Sequence, residues 1–322
     1  MKKYFIAFTL FAALCSCSTD DLPEQVTTDP NVYEVSLGLA GEITSITESP
    51  ITKAAPNDLY GIQVFSAPND STGTENYSNY AYGIYDDLSS AKIKLLDGYK
   101  YKFECTMIVD GKSRIYGYNN ESYFGYSHPL FVNNVGPGEV KNAFTYSVWN
   151  TISNINYGGT DLINSDNSTK HYIRPNTDRY YGITSGFVPS GSNSVSINMK
   201  RAIFGVRFIA EGLTDGKLKI EMDQAPGMEL TPGNLQKEDI FTFNYLGSIY
   251  YDDAYYEDVQ VAINWQQNDS TTVPLASQFI RFKRNTRTTI KVKVADLANQ
   301  KGISLNIENA PIAEGDSINF NY

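Results

Sequence analysis

Apolar and polar residues alternate along much of this chain, whereas residues 113–192 are irregular and contain only short strand-like pieces. The clearest run is residues 99–109, where Tyr, Phe, Cys, Met and Val take the odd positions and Lys, Glu and Thr take the even positions from 100 to 106. A period of two predicts a β-strand with one buried face. Asp97-Gly98 and Asp110-Gly111 are tight-turn signals at its two ends. Cys105 falls on the apolar side, so we expect a small core residue rather than a reactive thiol.

The alternation first appears near the N-terminus. Tyr33, Val35, Leu37 and Leu39 face one way, and the polar residues between them face the other. A long connection, residues 41–58, follows this strand, and a second strand begins at Tyr60. Lys53 lies within the connection.

The second half of the chain repeats the strand pattern. Apolar residues hold one parity from Val195 to Met199 and shift by one position after Arg201. Such a shift indicates a bulge or a strand buried on both faces. No long helical period occurs, and many short strands separated by turns are typical of β-sandwiches. We therefore predict an all-β protein of two tandem antiparallel β-sandwich domains, residues 31–190 and 191–322.

The N-terminus has the layout of an export signal. Two lysines precede an apolar run, residues 4–14, that is shorter than the ~20 residues of a spanning helix. Leu14-Cys15-Ser16-Cys17 resembles a bacterial lipobox. The resemblance implies a signal peptide over residues 1–16, lipidation (palmitate among the acyl chains) at Cys17, and a tether over 17–30. The alternative is an ordinary secretory signal in which Cys17 is incidental.

The residues after Cys17, Ser-Thr-Asp-Asp, resemble the acidic export tag of Bacteroidetes surface lipoproteins. We therefore expect a protein that is lipid-anchored in the outer membrane and exposed at the cell surface. Its formal net charge of −10 makes nucleic acid an unsuitable partner, because phosphate contacts need a basic face.

Candidate chemistry is sparse. The two histidines, His128 and His171, are not spaced with other ligands as a zinc site requires, and nucleotide-binding loops and nucleophile elbows are absent from the sequence. The acidic residues Asp252, Asp253, Glu257 and Asp258 favour a solvated turn over a calcium site, since they lack the EF-hand spacing. We expect no enzyme activity, no cofactor and no metal.

Aromatic residues suggest one binding surface. Tyr250, Tyr251 and Trp265 are candidates for stacking on sugar rings, a role that suits Tyr and Trp. The alternative is that these side chains belong to the core, which is where most alternating aromatics of a β-sandwich lie.

Three stretches resemble a known family. Residues 195–208, Val-Ser-Ile-Asn-Met-Lys-Arg-Ala-Ile-Phe-Gly-Val-Arg-Phe, and the later stretches 282–285 and 290–292 are similar to strands of the fimbrillins, the type V pilus subunits and associated anchor or tip lipoproteins of Bacteroidetes. The resemblance implies transthyretin-like sandwiches and a role in cell adhesion, with other pilus subunits or further copies of the chain as partners.

In that family a protease cuts the loop after the first strand, and a strand of another subunit fills the groove left behind. Lys53 occupies the corresponding place here, although many relatives have Arg. The alternatives are that Lys53 is an ordinary loop lysine, that an uncut chain serves as a pilus anchor, and that the protein is instead a surface glycan-binding lipoprotein of a polysaccharide-uptake system.

Overall fold

The computed structural model of the chain describes residues 31–42, 57–70, 76–116, 125–127, 130–163, 169–190, 194–294 and 304–312. The chain divides into two units, and every described residue belongs to the second, Asn31–Tyr322. The helices of the described part are short: α1 (Gly111–Arg114), α2 (Leu246–Tyr251) and a 3-10 turn at Leu88–Ser90.

The remaining regular structure is β. In chain order the strands are β1 (Val32–Gly41), β2 (Leu59–Pro68), β3 (Ser78–Tyr85), β4 (Lys92–Leu96), β5 (Tyr99–Ile108), β6 (Ile115–Tyr116), β7 (Gly125–Ser127), β8 (Phe131–Val132), β9 (Gly136–Pro137), β10 (Phe144–Tyr146), β11 (Thr160–Ile163), β12 (Thr169–Tyr172), β13 (Arg179–Phe187), β14 (Ser194–Arg201), β15 (Ile203–Glu211), β16 (Lys217–Met222), β17 (Met228–Leu230), β18 (Gln236–Thr242), β19 (Tyr256–Asn268), β20 (Thr271–Lys283), β21 (Thr286–Lys293) and β22 (Ser304–Pro311). The predicted all-β class is confirmed.

The first half of the described chain forms one eight-stranded sheet, in the order β10-β3-β2-β5-β13-β14-β1-β4. Apolar side chains from seven of these strands share a single core, in which Val35, Phe103 and Ile197 have no exposed surface. Cys105 lies in this core, as the alternation predicts, and burial raises the pKa of its thiol. A four-stranded sheet, β12-β11-β7-β6, and the pair β8-β9 come from the irregular stretch before β13.

The second half is a sandwich of two four-stranded sheets, β18-β15-β21-β22 and β17-β16-β19-β20. Their apolar faces share one core. At its centre the ring of Phe204 stacks on Phe282 at 4.8 Å and contacts Phe243 at 4.9 Å, measured between ring centroids. Large aromatic side chains thus hold the two sheets together.

The shift of apolar parity after Arg201 accompanies a change of sheet. The strand that follows is buried on both faces at its start, where Ile203, Phe204 and Val206 have no exposed surface, and it pairs without a bulge. The strand β14 ends at Arg201 inside the eight-stranded sheet, and β15 begins at Ile203 in a different sheet. A change of sheet changes which face is buried, so the pattern shifts by one residue. Pairing therefore passes from the first sheet to the second at Ala202, whereas the boundary predicted near residue 190 stays a prediction.

Among the described strands, three neighbouring pairs are parallel within sheets that the sequence predicts as antiparallel. They are β1 with β14, β15 with β21, and β6 with β7. Parallel neighbours need long crossover connections. The partners β1 and β14 are accordingly far apart in the chain, and a pairing between such distant strands leaves no local sequence signal.

One cation is enclosed near the junction of the halves. The side chain of Arg179 is 1% exposed. Its Nε donates to the Thr106 hydroxyl at 2.8 Å and its Nη2 to the Asn154 carbonyl at 3.2 Å. Burial lowers the pKa of Arg179 to about 9. The guanidinium therefore fastens the loop before β11 to the first sheet.

Replacing Phe204 by Ala removes the centre of the aromatic stack. We expect a loss of about 3–5 kcal/mol in the free energy of unfolding, because a cavity replaces a buried ring. Urea denaturation measures it. Phe279 is the matched control, since it is 71% exposed and Phe279→Ala should change stability by less than about 0.5 kcal/mol. Equal losses for the two variants would contradict this account of the core.

Candidate functional site

The first strand, β1, lies inside the eight-stranded sheet although it comes from the chain's N-terminal end. Its residues Val32–Ser36 pair antiparallel with β4 (Lys92–Leu96), and its residues Ser36–Gly41 pair parallel with β14 (Ser194–Met199). The two pairings overlap only at Ser36. We call the gap between β4 and β14 that β1 fills the slot.

The slot has an apolar floor. Val35, Leu37 and Leu39 of β1 are 0%, 9% and 4% exposed. They enter a core to which the walls contribute Ile93 and Leu95 from β4, and Val195 and Ile197 from β14. Burying an aliphatic side chain stabilises a fold by about 1.5–3 kcal/mol. The three side chains therefore give β1 a substantial hold on the slot, in addition to its backbone hydrogen bonds.

A glycine closes the slot at the end of β1. Gly41 has a φ of +84°, in the left-handed region that glycine adopts readily. A Cβ at this position would also collide with the side chain of Asn198 and the carbonyl of Met199. Only glycine fits here, so β1 turns away from β14 at Gly41.

The next residue, Glu42, ties β1 to the second half of the chain. Its Oε2 accepts a hydrogen bond from the backbone N–H of Arg201 at 2.7 Å and another from Arg284 Nη1 at 2.9 Å. The side chain of Arg284, in the turn between β20 and β21, is only 9% exposed. We call the pair Glu42–Arg284 the clamp.

Further charges extend the clamp. Arg284 Nη2 lies 3.5 Å from Asp253 Oδ1, which also lies 2.9 Å from Lys200 Nζ. The hydrogen bond from Lys200 holds the pKa of the Asp253 carboxyl below its usual range, and Arg284 acts in the same direction. Lys200 is on β14, so both ends of this network touch the slot.

The acidic residues near Asp253 have basic partners as well. Glu257 pairs with Arg174 at 2.7 Å, and Asp258 pairs with Arg281 at 2.9 Å. Within the described ranges there is no cluster of three or more His, Cys, Asp or Glu side chains that could hold a metal ion. The carboxylates of Asp253, Glu257 and Asp258 therefore form salt bridges.

Several residues that the sequence singled out lie outside the described residues. These are the proposed lipidation site Cys17, the proposed cleavage site Lys53, and His128. The other histidine, His171, lies on β12, where its Nδ1 is 2.6 Å from Asp161 Oδ1 at an exposed site. In the part of the chain that can be described, no helix is long and apolar enough to cross a membrane.

The three candidate sugar-stacking aromatics do not form one surface. Trp265 is 7% exposed, packs in the core of the second half, and donates its indole N–H to the Asp215 carbonyl at 3.1 Å. The Tyr250 hydroxyl donates to the Ile183 carbonyl at 2.8 Å. Tyr251, 79% exposed, presents its ring to solvent. Trp265 takes the core role that was its alternative.

The clamp was missed by sequence reasoning. The stretch 282–285 drew attention only through its family resemblance, and Glu42 was assigned to a featureless connection. Glu42 and Arg284 are 242 positions apart, so no local pattern could have joined them. The glycine before Glu42 is a usable sequence signal, because glycine adopts the left-handed conformation that ends the strand at residue 41.

Removing the clamp tests whether it fixes the end of β1. We expect Glu42→Ala to lower the free energy of unfolding by about 1–3 kcal/mol, because a nearly buried guanidinium loses a charged acceptor. Urea denaturation gives the value. Glu34→Ala is the matched control on the same strand, since Glu34 pairs with Lys92 at an exposed site and should cost at most about 1 kcal/mol. A Glu42→Ala cost no larger than the control would contradict the clamp.

No protein-family model and no curated protein sequence matches the chain. Solved structures do match. The fimbrial anchor protein Mfa2 of Porphyromonas gingivalis is 11% identical, with a TM-score of 0.37 over 88% of this chain and 100% of that one. The tip fimbrial protein Mfa3 of Porphyromonas gingivalis, with a C-terminal truncation, is 10% identical, with a TM-score of 0.34 over 87% and 100%.

A candidate adhesin of Bacteroides thetaiotaomicron is 11% identical, with a TM-score of 0.37 over 89% of this chain and 100% of that one. These neighbours are adhesins and fimbrial proteins, the class of protein that the sequence resembles. The alignments run nearly end to end.

Proposed function

We propose that the protein is a surface lipoprotein that acts as a structural or adhesive pilus subunit, or as a pilus anchor, and that its first strand is exchangeable. The observation that carries the proposal is the position of β1, an N-terminal strand that fills an internal place in a sheet. Both of its neighbours, β4 and β14, belong to later parts of the chain.

The chain's connectivity makes β1 separable. One cut between Glu42 and Asn57, where Lys53 lies, would leave β1 held only by noncovalent contacts. After removal of β1, the wall strand β4 would stay covalently joined to β5, which follows it directly in the chain. In the sheet, β5 is next to β13 and β13 is next to the other wall strand, β14, so both walls would remain connected. Removal of β1 is thus a local event in the sheet.

An empty slot would be an unstable surface. Unpaired N–H and C=O groups on both walls, above an apolar floor, favour the addition of another strand. An incoming strand with apolar residues at alternate positions would satisfy the same groups as β1. Another subunit, or a second copy of this chain, is the partner that such a surface suits.

The lipid signal lies in the same segment as β1. Cleavage at Lys53 would remove residues 17–53, and with them both the acyl chains on Cys17 and the first strand. A cut subunit is then free to polymerise. An uncut subunit keeps its lipid and its β1, which suits an anchor. The state of Lys53 therefore decides between the two roles.

Treatment of the intact cells with a lysine-directed protease should release a fragment whose first residue is Ala54, because the connection is the point at which β1 separates. N-terminal sequencing and mass spectrometry identify it. Lys53→Ala should abolish this fragment, whereas Lys141→Ala, which removes an exposed lysine elsewhere in the chain, should not. A chain that keeps β1 attached under these conditions would leave only the anchor role.

A disulfide across the slot tests whether strand release matters. Ser36 and Lys92 face each other as an exposed pair on β1 and β4. They form a pair without mutual backbone hydrogen bonds, in which side chains lie close enough for a disulfide. We expect Ser36→Cys/Lys92→Cys, once oxidised, to keep the cut segment bound and to block multimer formation.

Reduction of the same sample is the control, and it should restore both release and assembly. Non-reducing electrophoresis measures whether the cut segment stays attached, and size-exclusion chromatography measures multimer formation. Multimers that form while the disulfide is intact would show that β1 need not leave the slot.

The alternative function, glycan binding, has less support, because Trp265 lies in the core and cannot stack on a sugar ring. The exposed ring of Tyr251 and the edge-on contact of Tyr250 with it, at 5.3 Å between centroids, are what supports it. Binding on a glycan array that disappears with Tyr251→Ala would favour this alternative over a pilus role.

A further inference from the structure

The strand β4 is the last in the eight-stranded sheet, so among the described residues no strand lies beside one of its two edges. Its inner edge pairs with β1. The hydrogen bonds from Leu37 N to Ala91 O and from Asp97 N to Asn31 O show that odd-numbered residues direct their N–H and C=O groups toward β1. Because these groups alternate along a strand, Lys94 and Leu96 direct theirs outward.

Tyrosine hydroxyls occupy the outward groups. The Lys94 N–H donates to the Tyr146 hydroxyl at 2.8 Å, and the Tyr80 hydroxyl donates to the Lys94 carbonyl at 2.7 Å. The Tyr101 hydroxyl accepts from the Leu96 N–H at 2.8 Å and donates to the Leu96 carbonyl at 3.1 Å. Four consecutive backbone groups on this edge are therefore bonded by side chains rather than by a strand.

These tyrosines come from strands that are remote from β4 in the sheet. Tyr80 is on β3 and Tyr146 is on β10, at the opposite end of the strand order, and Tyr101 is on β5. Their rings pack edge to face, with Tyr80 at 5.1 Å from Tyr101 and 5.6 Å from Tyr146 between centroids. The packing fixes the hydroxyls in place, and Tyr101 has no exposed surface.

We propose that Tyr80, Tyr101 and Tyr146, which we call the tyrosine seal, close the outer edge of β4 to strand addition and so restrict an incoming strand to the slot. An open edge recruits any extended chain, including another copy of the same protein. Side-chain hydroxyls bond to the same N–H and C=O groups of β4, but they present no new row of backbone groups with which a further strand could pair.

The seal has a second consequence for the slot. β4 is one wall of the slot, and apart from β1 no other strand pairs with it among the described residues. The tyrosines hold β4 from the outside, so this wall keeps its place when β1 is absent. This consequence rests on the proposed function, whereas the closed outer edge is a property of the uncut chain.

The test uses the uncut full-length chain and amide hydrogen exchange read residue by residue. Tyr146→Phe keeps the ring and removes the hydroxyl. We expect exchange of the Lys94 amide to rise about fivefold, the factor that corresponds to one hydrogen bond of typical net strength, with Leu96 unchanged. Tyr101→Phe should do the reverse, exposing the Leu96 amide and sparing Lys94.

Sedimentation then tests the closure itself. The double variant Tyr80→Phe/Tyr146→Phe should self-associate at concentrations where the parent chain is monomeric. Tyr82→Phe is the matched control on β3, because the Tyr82 hydroxyl has no hydrogen-bond partner among the described residues, and it should change neither readout.

Unchanged exchange at Lys94 and Leu96 would overturn the seal. Faster exchange that spreads over the whole sheet, or a double variant that stays monomeric, would also overturn it, because the hydroxyls would then serve folding alone. None of these measurements depends on cleavage at Lys53. Failure of the seal is therefore distinguishable from failure of the proposed strand exchange.

Discussion

Two strands of the first sheet, β4 and β14, need a neighbour between them, and β1 is the segment that meets this need. Its first half supplies antiparallel hydrogen bonds to β4 and its second half parallel ones to β14. Its apolar face completes the core beneath them. The backbone groups of β4 and β14 that face the slot must be paired, and a single cut can detach the strand that pairs them. The proposed function follows from these two facts.

The boundaries of the slot are built from different chemistry. At the end of β1, a left-handed glycine and the clamp between Glu42 and Arg284 join the first strand to the second half of the chain. At the outside of β4, phenolic hydroxyls replace a strand. A cut at Lys53 would remove Glu42 together with β1 and leave Arg284 without this carboxylate partner. The tyrosine hydroxyls that bond to the backbone of β4 belong to other strands, so they would remain. The clamp therefore belongs to the state with β1 bound, and the tyrosine seal belongs to both states.

The sequence predicted the strands well because alternation is a local property. The strands β1 and β5 and the burial of Cys105 follow from a period of two. The prediction that β5 has one buried face is wrong, because Lys100, Glu104 and Thr106 on its polar side are buried as well. The sequence could not predict the parallel pairing of β1 with β14, or the contact of Glu42 with Arg284, because both join residues remote in the chain. It also left two interpretations of the parity shift at Ala202 open, since a chain that changes sheet and a strand with a bulge leave the same pattern. Trp265 shows the same limit, because an aromatic residue at an alternating position suits either a core or a surface.

The most direct test of strand exchange is hydrogen exchange at the Ile93 and Leu95 amides, which face β1 from β4. The account predicts slow exchange in the intact chain, fast exchange after cleavage at Lys53 and removal of the released segment, and slow exchange again in the assembled multimer. Amides that stay protected after that segment has been removed, or that stay unprotected in the multimer, would contradict it.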